Sequence, residues 1–285
     1  MASSLEFTTV RAYDRLDQCL GEWGSRSAWA LAIKDGRVSV DGKVCKKKSL
    51  SVDAGAFIEA SNVPPTPKIP AENIDLDVLF EDEDLIVVNK PSGLVTHPAP
   101  AHPSGTLANA LAARCDAPRC GIVHRLDKGT SGVIVAAKTP AAHATMSDAF
   151  RKRNVEKVYL AVCAGVVSDF VATEPIGRDP IKRDRMRAGH GRAAKSIVRR
   201  IGTDGRFSVC RVEIETGRTH QIRVHMSHRH HPILGDDVYG GGGGYERPML
   251  HAWQLSLDHP STSARLHFVA PPPSDLDQAI RLIAA

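Results

Sequence analysis

The sequence predicts an α+β protein of two parts: a small module of two helices and a hairpin, then a larger domain around a largely antiparallel, mixed β-sheet. Three observations support this fold class. Two helical patterns and a tight turn fall within the first 60 residues, and a proline-dense stretch follows at residues 63–74. From Asp75 onward, short apolar runs dominate the pattern. The 285 residues are enough for one large core and one small one.

The small module, residues 10–62, is predicted from local signals. "RLDQCLGEWG" has apolar residues at helical spacing, and "AWALAIKDG" indicates a second helix that ends at Asp35-Gly36. "RVSVDGKV" indicates a hairpin with Asp41-Gly42 at its turn, and "SVDAGAFIEA" supplies a further turn and strand. Residues 63–74 contain four prolines, so they are predicted to form an extended linker.

The larger domain, residues 75–285, is predicted to be strand-rich. Its apolar runs are short and bounded by glycine, proline or charged residues, as is typical of strands. Strands are predicted at "DLIVVNKP", "GVIVAAK", "KVYLAVCAGV", "AKSIVRRI", "FSVCRVEIE", "QIRVHMS" and "ARLHFVA". Helices are predicted at "TLANALAAR" and "AAHATMSDAFRKR".

Composition is that of a folded globular chain, with 42% hydrophobic and 24% charged residues. The six cysteines form no CxxC pair, so they are expected to be reduced thiols. The first ten residues lack the features of a signal peptide, and no apolar run approaches the ~20 residues of a membrane span. A cytoplasmic location is therefore expected.

Positive charge is concentrated in two stretches. Residues 26–48 contain seven basic and two acidic side chains, and residues 178–200 contain nine basic and two acidic ones. A solvated face or an exposed loop would explain either stretch without a partner. Neutralisation of phosphates is the functional alternative, and it would make binding of a polyanion such as RNA depend on salt.

Asp127 is the acidic residue of "GIVHRLDKGTSGVIVAAKT", where it lies between two apolar runs. A carboxylate near buried strands is costly unless it is compensated, although an aspartate in a turn is also common. Arg218 and Arg223 bracket "THQI" and can favour the ionised carboxylate. Tyr159 lies in the apolar run "KVYLAV", either as a core residue or as a ring that stacks on a base. Lys90 ends a strand beside a Pro-Ser-Gly turn.

Three of these segments, in this order along the chain, resemble the RluA-type pseudouridine synthase family. They are "VNKPSGLVTHP", "HRLDKGTSG" and "GRTHQIRVHM…HPILGDDVYG", and the resemblance covers residues 74–270. Residues 13–60 resemble the alpha-L (S4-like) RNA-binding domain, although Ala28, Trp29 and Ala30 stand where such domains often have basic residues. The combined layout is similar to family members that modify large-subunit ribosomal RNA.

The resemblance implies an isomerase that detaches uracil from its ribose, rotates it and rejoins it through a ring carbon, with no cofactor or metal. It implies that Asp127 is the nucleophile, that Arg218 pairs with it, and that Arg125 holds the site open after the target base has flipped out. It implies that Tyr159 packs on the flipped base and assists proton removal. Contacts to RNA are expected from a further set of polar residues: Lys34, Arg37, Lys43, Lys90, His124, Thr130, His220, Gln221 and Arg223.

Other functions remain open on the sequence alone. "HMSHRHHP" is rich in histidine, but it lacks an HExxH motif or a cysteine pair, which disfavours a zinc enzyme. A glycoside hydrolase would need two carboxylates facing the bond. The Asp127 segment has only a single carboxylate, which disfavours this function. A non-catalytic RNA-binding or ribosome-assembly factor is the alternative without chemistry. Transfer RNA stays open as a substrate, attack on the ring or on the sugar is not decided, and a monomer is expected.

Overall fold

The computed structural model describes residues 4–23, 26–62, 69–99, 101–117, 121–182 and 185–284. The chain divides into two compact units, Met1–Lys68 and Ile69–Ala285. The predicted proline-rich linker, residues 63–74, spans this division, and its residues 63–68 lie outside the described part of the chain.

The first unit has two helices over a four-stranded antiparallel sheet in the order β1-β4-β2-β3. Its elements are β1 (Leu5–Thr8), α1 (Leu16–Cys19), a 3₁₀ turn (Leu20–Glu22), α2 (Arg26–Lys34), β2 (Val38–Val40), β3 (Lys43–Val44) and β4 (Phe57–Ala60). The predicted hairpin is confirmed. Asp41 and Gly42 have φ values of 51° and 72°, which are those of a type I′ turn. Strand β1, which pairs with β4, is not among the elements expected from the sequence.

A small apolar core holds this unit together. Leu16, Leu20, Trp29, Ile33 and Ile58 are all fully buried, and they join both helices to the sheet. The first helix is shorter than the pattern at residues 15–24 predicts, because its last turn tightens into the 3₁₀ turn.

The second unit contains the remaining strands and helices. They are β5 (Asp77–Glu81), β6 (Leu85–Lys90), α3 (Leu107–Leu111), β7 (Ser131–Ala137), α4 (Pro140–Lys152), β8 (Glu156–Ala164), β9 (Phe170–Ala172), β10 (Ile176–Arg178), β11 (Met186–Ala188), β12 (Ser196–Thr203), β13 (Phe207–Ile214), α5 (Gln221–His228), β14 (Leu250–Asp258), β15 (Arg265–Val269) and α6 (Ser274–Ala284). Their core is continuous across the sheet.

Nine of these strands form one mixed sheet in the order β5-β6-β7-β14-β8-β13-β12-β9, with β15 also paired to β14. Only the β7–β14 pair is parallel among the described strands, and the others are antiparallel. The predicted α+β class with a largely antiparallel, mixed sheet is therefore confirmed. Strands β10 and β11 form a separate antiparallel pair, called here the basic hairpin, of which residues 176–182 and 185–188 are described.

The prediction of a strand at "QIRVHMS" is wrong, because Gln221–His228 is helix α5. Alternating Ile222, Val224 and Met226 suggest a strand, but helical winding sends Ile222 and Met226 to the main core and Val224 to a second cluster with Ile176. Strands β5 and β14 and helix α6 are likewise absent from the elements expected from the sequence. The β14 pattern is interrupted by a register shift between Ala252 and Gln254.

Within the described part of the chain, no helix is both long and apolar enough to cross a lipid bilayer. Cys45, Cys163 and Cys210 are free thiols, and Cys120 lies outside the described residues.

Candidate active site

Asp127 lies on a loop that leads into β7, and a neighbouring loop holds that segment by its backbone. Thr96 Oγ1 donates to the Leu126 carbonyl at 2.8 Å, and the Gly93 amide donates to the Lys128 carbonyl at 2.8 Å. Ser92 Oγ donates to the carbonyl of Gly129 at 3.0 Å. Two loops held together in this way present the Asp127 side chain with little freedom for its backbone.

Lys90 is fully buried at the end of β6 and joins the same two loops. Its ammonium donates to the carbonyls of Pro91 at 2.9 Å, Leu94 at 2.8 Å and Lys128 at 3.5 Å. Burial lowers the pKa of Lys90 to about 8, against a smaller raising effect of Asp127. From the sequence, Lys90 is expected to contact RNA. The structure instead places its ammonium inside the protein, as a support for the Asp127 loop.

The cation beside Asp127 is Arg223. Its Nη1 lies 3.5 Å from Asp127 Oδ2, and the Asp127 side chain is 19% exposed. Arg223 is itself held by Asp236, which accepts from Nε at 2.7 Å and from Nη2 at 2.8 Å. Asp236 is fully buried and also caps the backbone amides of Val238 and Tyr239 at 3.1 Å. This bidentate pair fixes the guanidinium so that it faces the carboxylate.

Arg218 does not pair with Asp127 in the described structure, which corrects the expectation from the sequence. Its Nε donates to the Ala193 carbonyl at 2.9 Å. Burial, and then the charges of Arg192 and Arg153, lowers the pKa of Arg218. Arg218 lies before α5, whereas Arg223 lies within the first turn of the helix. The surroundings of Arg218 are cationic and suit a phosphate better than a role beside the carboxylate.

Tyr159 is a buried residue of β8, with 8% of its surface exposed. Burial, and secondarily the charge of Asp127, raises the pKa of Tyr159, so its phenol is protonated at neutral pH. The ring belongs to the main core cluster. The sequence left two roles for Tyr159, as a core residue or as a ring that stacks on a base. This placement is compatible with both roles.

His220 and Gln221 begin α5 beside the carboxylate. His220 adopts a left-handed backbone, with φ at 57°, and its Nε2 lies 3.9 Å from Asp127 Oδ2. Gln221 is buried and occupied by the protein, since it accepts from Thr216 Oγ1 at 2.7 Å and donates to the Lys195 carbonyl at 2.9 Å. From the sequence, Gln221 is expected to contact RNA, and its hydrogen bonds instead favour a structural role.

Three other predicted site residues differ in their exposure and in their hydrogen-bond partners. Thr130 is 2% exposed, and its amide closes a turn on the Asp127 carbonyl at 3.0 Å. His124 Nε2 accepts from the Val135 amide at 3.0 Å, and burial lowers its pKa to about 3, so this ring is a neutral part of the packing. Arg125 is exposed, and its role in holding the site open after the target base has flipped out remains a prediction.

The basic hairpin meets the site at Tyr239. The Met186 amide donates to the Tyr239 hydroxyl at 2.9 Å, and the Arg185 guanidinium lies 5.4 Å from the centre of the Tyr239 ring. The guanidinium of Arg223 lies 5.1 Å from the centre of the same ring. The basic hairpin therefore contacts the Tyr239 ring, and Arg223, the cation beside Asp127, packs against the same ring. Arg183 and Asp184, part of the predicted basic stretch, lie outside the described residues.

The first unit contains the other predicted RNA contacts. Lys34 and Lys43 are exposed, while Arg37 is partly covered and donates to the Asn62 carbonyl at 3.0 Å. These positions leave contact with RNA by this unit a prediction.

No group of three or more histidine, cysteine or acidic side chains that could hold a metal occurs among the described residues. Two of the histidines in "HMSHRHHP" have protein partners. His225 is fully buried between Ser196 Oγ at 2.9 Å and the Glu174 carbonyl at 3.0 Å, and His231 Nδ1 lies 2.9 Å from the Ala164 carbonyl.

Asp236 and Tyr239 are site residues that the sequence did not identify. The sequence did contain a signal, because Asp236 comes one glycine after the apolar "PIL" and is an acidic residue that needs compensation, as Asp127 does. The partner that answers it, Arg223, is 13 residues away and on a helix that the pattern did not predict.

Known proteins similar to this chain share one described activity. A profile described as RNA pseudouridylate synthase matches residues 84–228. The chain is 39% identical over 285 residues to the ribosomal large subunit pseudouridine synthase D of Pseudomonas aeruginosa, covering 92% of this chain and 89% of that protein. It is also 39% identical over 297 residues to the protein of the same name from Escherichia coli strain K12, covering 95% and 91%.

Solved structures agree with the fold. The structure named human RNA pseudouridylate synthase domain containing 1 matches with a TM-score of 0.59 and 27% identity, over 73% of this chain and 89% of that one. Human RNA pseudouridylate synthase domain containing 4 matches with a TM-score of 0.57 and 24% identity, over 72% and 91%, and this likeness concerns the fold alone.

Proposed function

Since this chain belongs to the RluA-type family of RNA pseudouridine synthases, we propose that Asp127 is the nucleophile with which it isomerises uridines of large-subunit ribosomal RNA. The chain is an isomerase that converts uridine to pseudouridine in RNA. The observation that carries the proposal for Asp127 is the partly exposed carboxylate that Arg223 faces at 3.5 Å, on a loop held by Thr96 and Lys90.

The reaction sets what the site must supply. The bond between ribose C1′ and uracil N1 breaks, a bond between C1′ and C5 forms, the C5 proton leaves, and N1 ends with a proton. Atoms and charge balance without an oxidant or a group donor, so the chemistry itself needs no cofactor. The reacting atoms cannot be reached inside a stacked helix, so the target nucleotide must leave the stack.

The residues near Asp127 fit these requirements. A carboxylate nucleophile must be ionised, and the guanidinium of Arg223 favours that form. The raised pKa of Tyr159 means that the enzyme at rest has a protonated phenol within the electrostatic influence of Asp127. Such a group is suited to pack on uracil and to exchange a proton once the ring has reacted. Arg125, exposed two residues before the nucleophile, is suited to fill the gap that the flipped base leaves.

Several features support ribosomal RNA as the substrate. Relatives 39% identical over nearly the whole chain are named for the large ribosomal subunit. The stretches at residues 26–48 and 178–200 supply positive charge for phosphates. The first unit has the helix and hairpin order expected of an alpha-L (S4-like) domain. A monomer that works in the cytoplasm, where ribosomes are assembled, completes the proposal.

The test compares the wild-type chain with Asp127→Ala and Asp127→Asn on three RNAs: unmodified large-subunit RNA, small-subunit RNA and a transfer RNA pool. Pseudouridines are mapped chemically, and RNA affinity is measured in parallel. We expect modification of large-subunit RNA by the wild type and none by either variant, with affinity retained. Activity of Asp127→Ala would rule out the nucleophile, and modification of transfer RNA alone would rule out the substrate.

A further inference from the structure

A chain of polar contacts runs from the basic hairpin to the carboxylate of Asp127. The Met186 amide donates to the Tyr239 hydroxyl at 2.9 Å. The same hydroxyl lies 2.9 Å from His220 Nδ1, and His220 Nε2 lies 3.9 Å from Asp127 Oδ2. The mechanism outlined above does not use His220 or Tyr239.

The donors along this chain favour one direction for its hydrogen bonds. A backbone amide can only donate, so the Tyr239 oxygen accepts from Met186, and its own proton is available for His220 Nδ1. A neutral imidazole that accepts at Nδ1 carries its proton on Nε2, the nitrogen that faces Asp127. Burial lowers the pKa of His220 and keeps the ring neutral, despite the opposing effect of Asp127.

The contacts also distinguish the two oxygens of Asp127. Arg223 Nη1, at 3.5 Å, and His220 Nε2, at 3.9 Å, both address Oδ2. Among the described residues no side chain donates to Oδ1. An oxygen without a donor is the better nucleophile, since no hydrogen bond has to be broken for it to attack.

We propose that His220 is a positioning residue for Asp127: Tyr239 holds its ring so that Nε2–H faces Oδ2, which leaves Oδ1 to react with uridine. The proposal rests on Asp127 being the nucleophile. The distance of 3.9 Å is too long for a hydrogen bond, and such contacts tighten when substrate fills a site. His220 is 21% exposed, so part of its neighbourhood is open to that substrate.

The backbone of His220 determines which variants are informative. Its φ of 57° is left-handed, a region in which asparagine is well tolerated. His220→Asn therefore keeps the backbone but removes the nitrogen that reaches Asp127. His220→Gln places an amide N–H where Nε2 stands. Tyr239→Phe keeps a ring beneath Arg223 and Arg185, at 5.1 and 5.4 Å, and removes only the hydroxyl.

The experiment measures single-turnover pseudouridine formation at saturating RNA, together with RNA affinity. We expect His220→Asn to slow the step by about 10- to 100-fold, the range for a lost hydrogen bond to a charged group or a misplaced reactant. RNA affinity should stay unchanged. His220→Gln should recover part of the rate, because its amide restores an N–H toward Asp127 but offers no nitrogen to the Tyr239 hydroxyl. A role in packing alone would not predict this recovery.

Tyr239→Phe should also slow the step, and adding it to His220→Asn should slow it no further, because the two residues act through one contact. Circular dichroism melting of each variant separates a lost contact from a lost fold. Full rates for folded His220→Asn, equal slowing by His220→Gln and His220→Asn, or independent effects of the Tyr239 and His220 changes would each overturn the proposal.

Asp127→Ala distinguishes this failure from failure of the proposed function. If Asp127→Ala is inactive while His220→Asn is fully active, the nucleophile stands and the positioning role falls. If Asp127→Ala is active, both fall. Should His220→Asn not fold, the rates of His220→Gln and Tyr239→Phe still decide, since full activity of folded Tyr239→Phe contradicts a ring held by its hydroxyl.

Discussion

The position of Arg223, and not Arg218, beside Asp127 leads to a specific prediction. Removing Arg223 alone would leave the fully buried Asp236 carboxylate without its cation, at a cost of about 3–5 kcal/mol of stability. The double change Arg223→Gln/Asp236→Asn avoids this, because it replaces the ion pair with two neutral amides. The asparagine introduced at position 236 has no charge, but its amide oxygen can still accept from the backbone amides that Asp236 caps at 3.1 Å.

The magnitude follows from the distance. At 3.5 Å, two unit charges attract by about 5 kcal/mol at an effective dielectric constant of about 20, before the cost of desolvation. The net value of a hydrogen bond to a charged group is about 1.5–3 kcal/mol. We therefore expect the double variant to melt near the wild type and to react roughly 10- to 150-fold more slowly in a single turnover at saturating RNA.

Arg218→Gln is the matched comparison. Its guanidinium bonds to the Ala193 carbonyl and not to a carboxylate, so we expect weaker RNA binding and an unchanged rate at saturation. The assay uses RNA tritiated at uracil C5, because the reaction releases that hydrogen. Equal slowing of the saturated rate by Arg218→Gln, or a full rate for Arg223→Gln/Asp236→Asn, would refute the assignment of Arg223.

Three further predictions concern stability and RNA binding. Burial lowers the pKa of Lys90 from 10.5 to about 8, so the unfolded chain binds that proton more tightly than the folded chain does. As pH rises from 8 to 10.5, the free energy of unfolding of the wild type should therefore rise by about 3 kcal/mol relative to that of Lys90→Met. A difference in urea titrations that does not change with pH would contradict this. Arg185→Gln/Arg187→Gln should lower the slope of log affinity against log salt by about 1.4 to 1.8 if both contact phosphates, and an unchanged slope would exclude such contacts. Gly132→Ala should cost about 3 kcal/mol, since its Cβ would lie 2.2 Å from the Ala252 carbonyl oxygen at a φ of +115°; a wild-type urea midpoint would show that β7 and β14 can separate.

Local features of this chain could be predicted because their causes are local. Asp41-Gly42 forms its hairpin turn since both residues accept positive φ, and the apolar runs of β6, β7 and β8 form strands since their neighbours in sequence end them. The position of Asp127 between two such runs likewise pointed to a site. The sequence by itself thus determined the fold class, the hairpin and the loop that carries the carboxylate.

Only the tertiary structure decided which groups meet that carboxylate. Arg218 and Arg223 are the same residue type and lie on the same segment, 91 and 96 residues from Asp127, so no local pattern separates them. Packing of Ile222 and Met226 against the core winds the segment into α5, and Asp236 then holds Arg223 toward Asp127. Lys90 likewise looks available in the sequence, but burial and three backbone carbonyls hold its ammonium in the interior. His124 is half-buried and accepts from the Val135 amide. Contacts of this kind between distant segments form only when the sheet does.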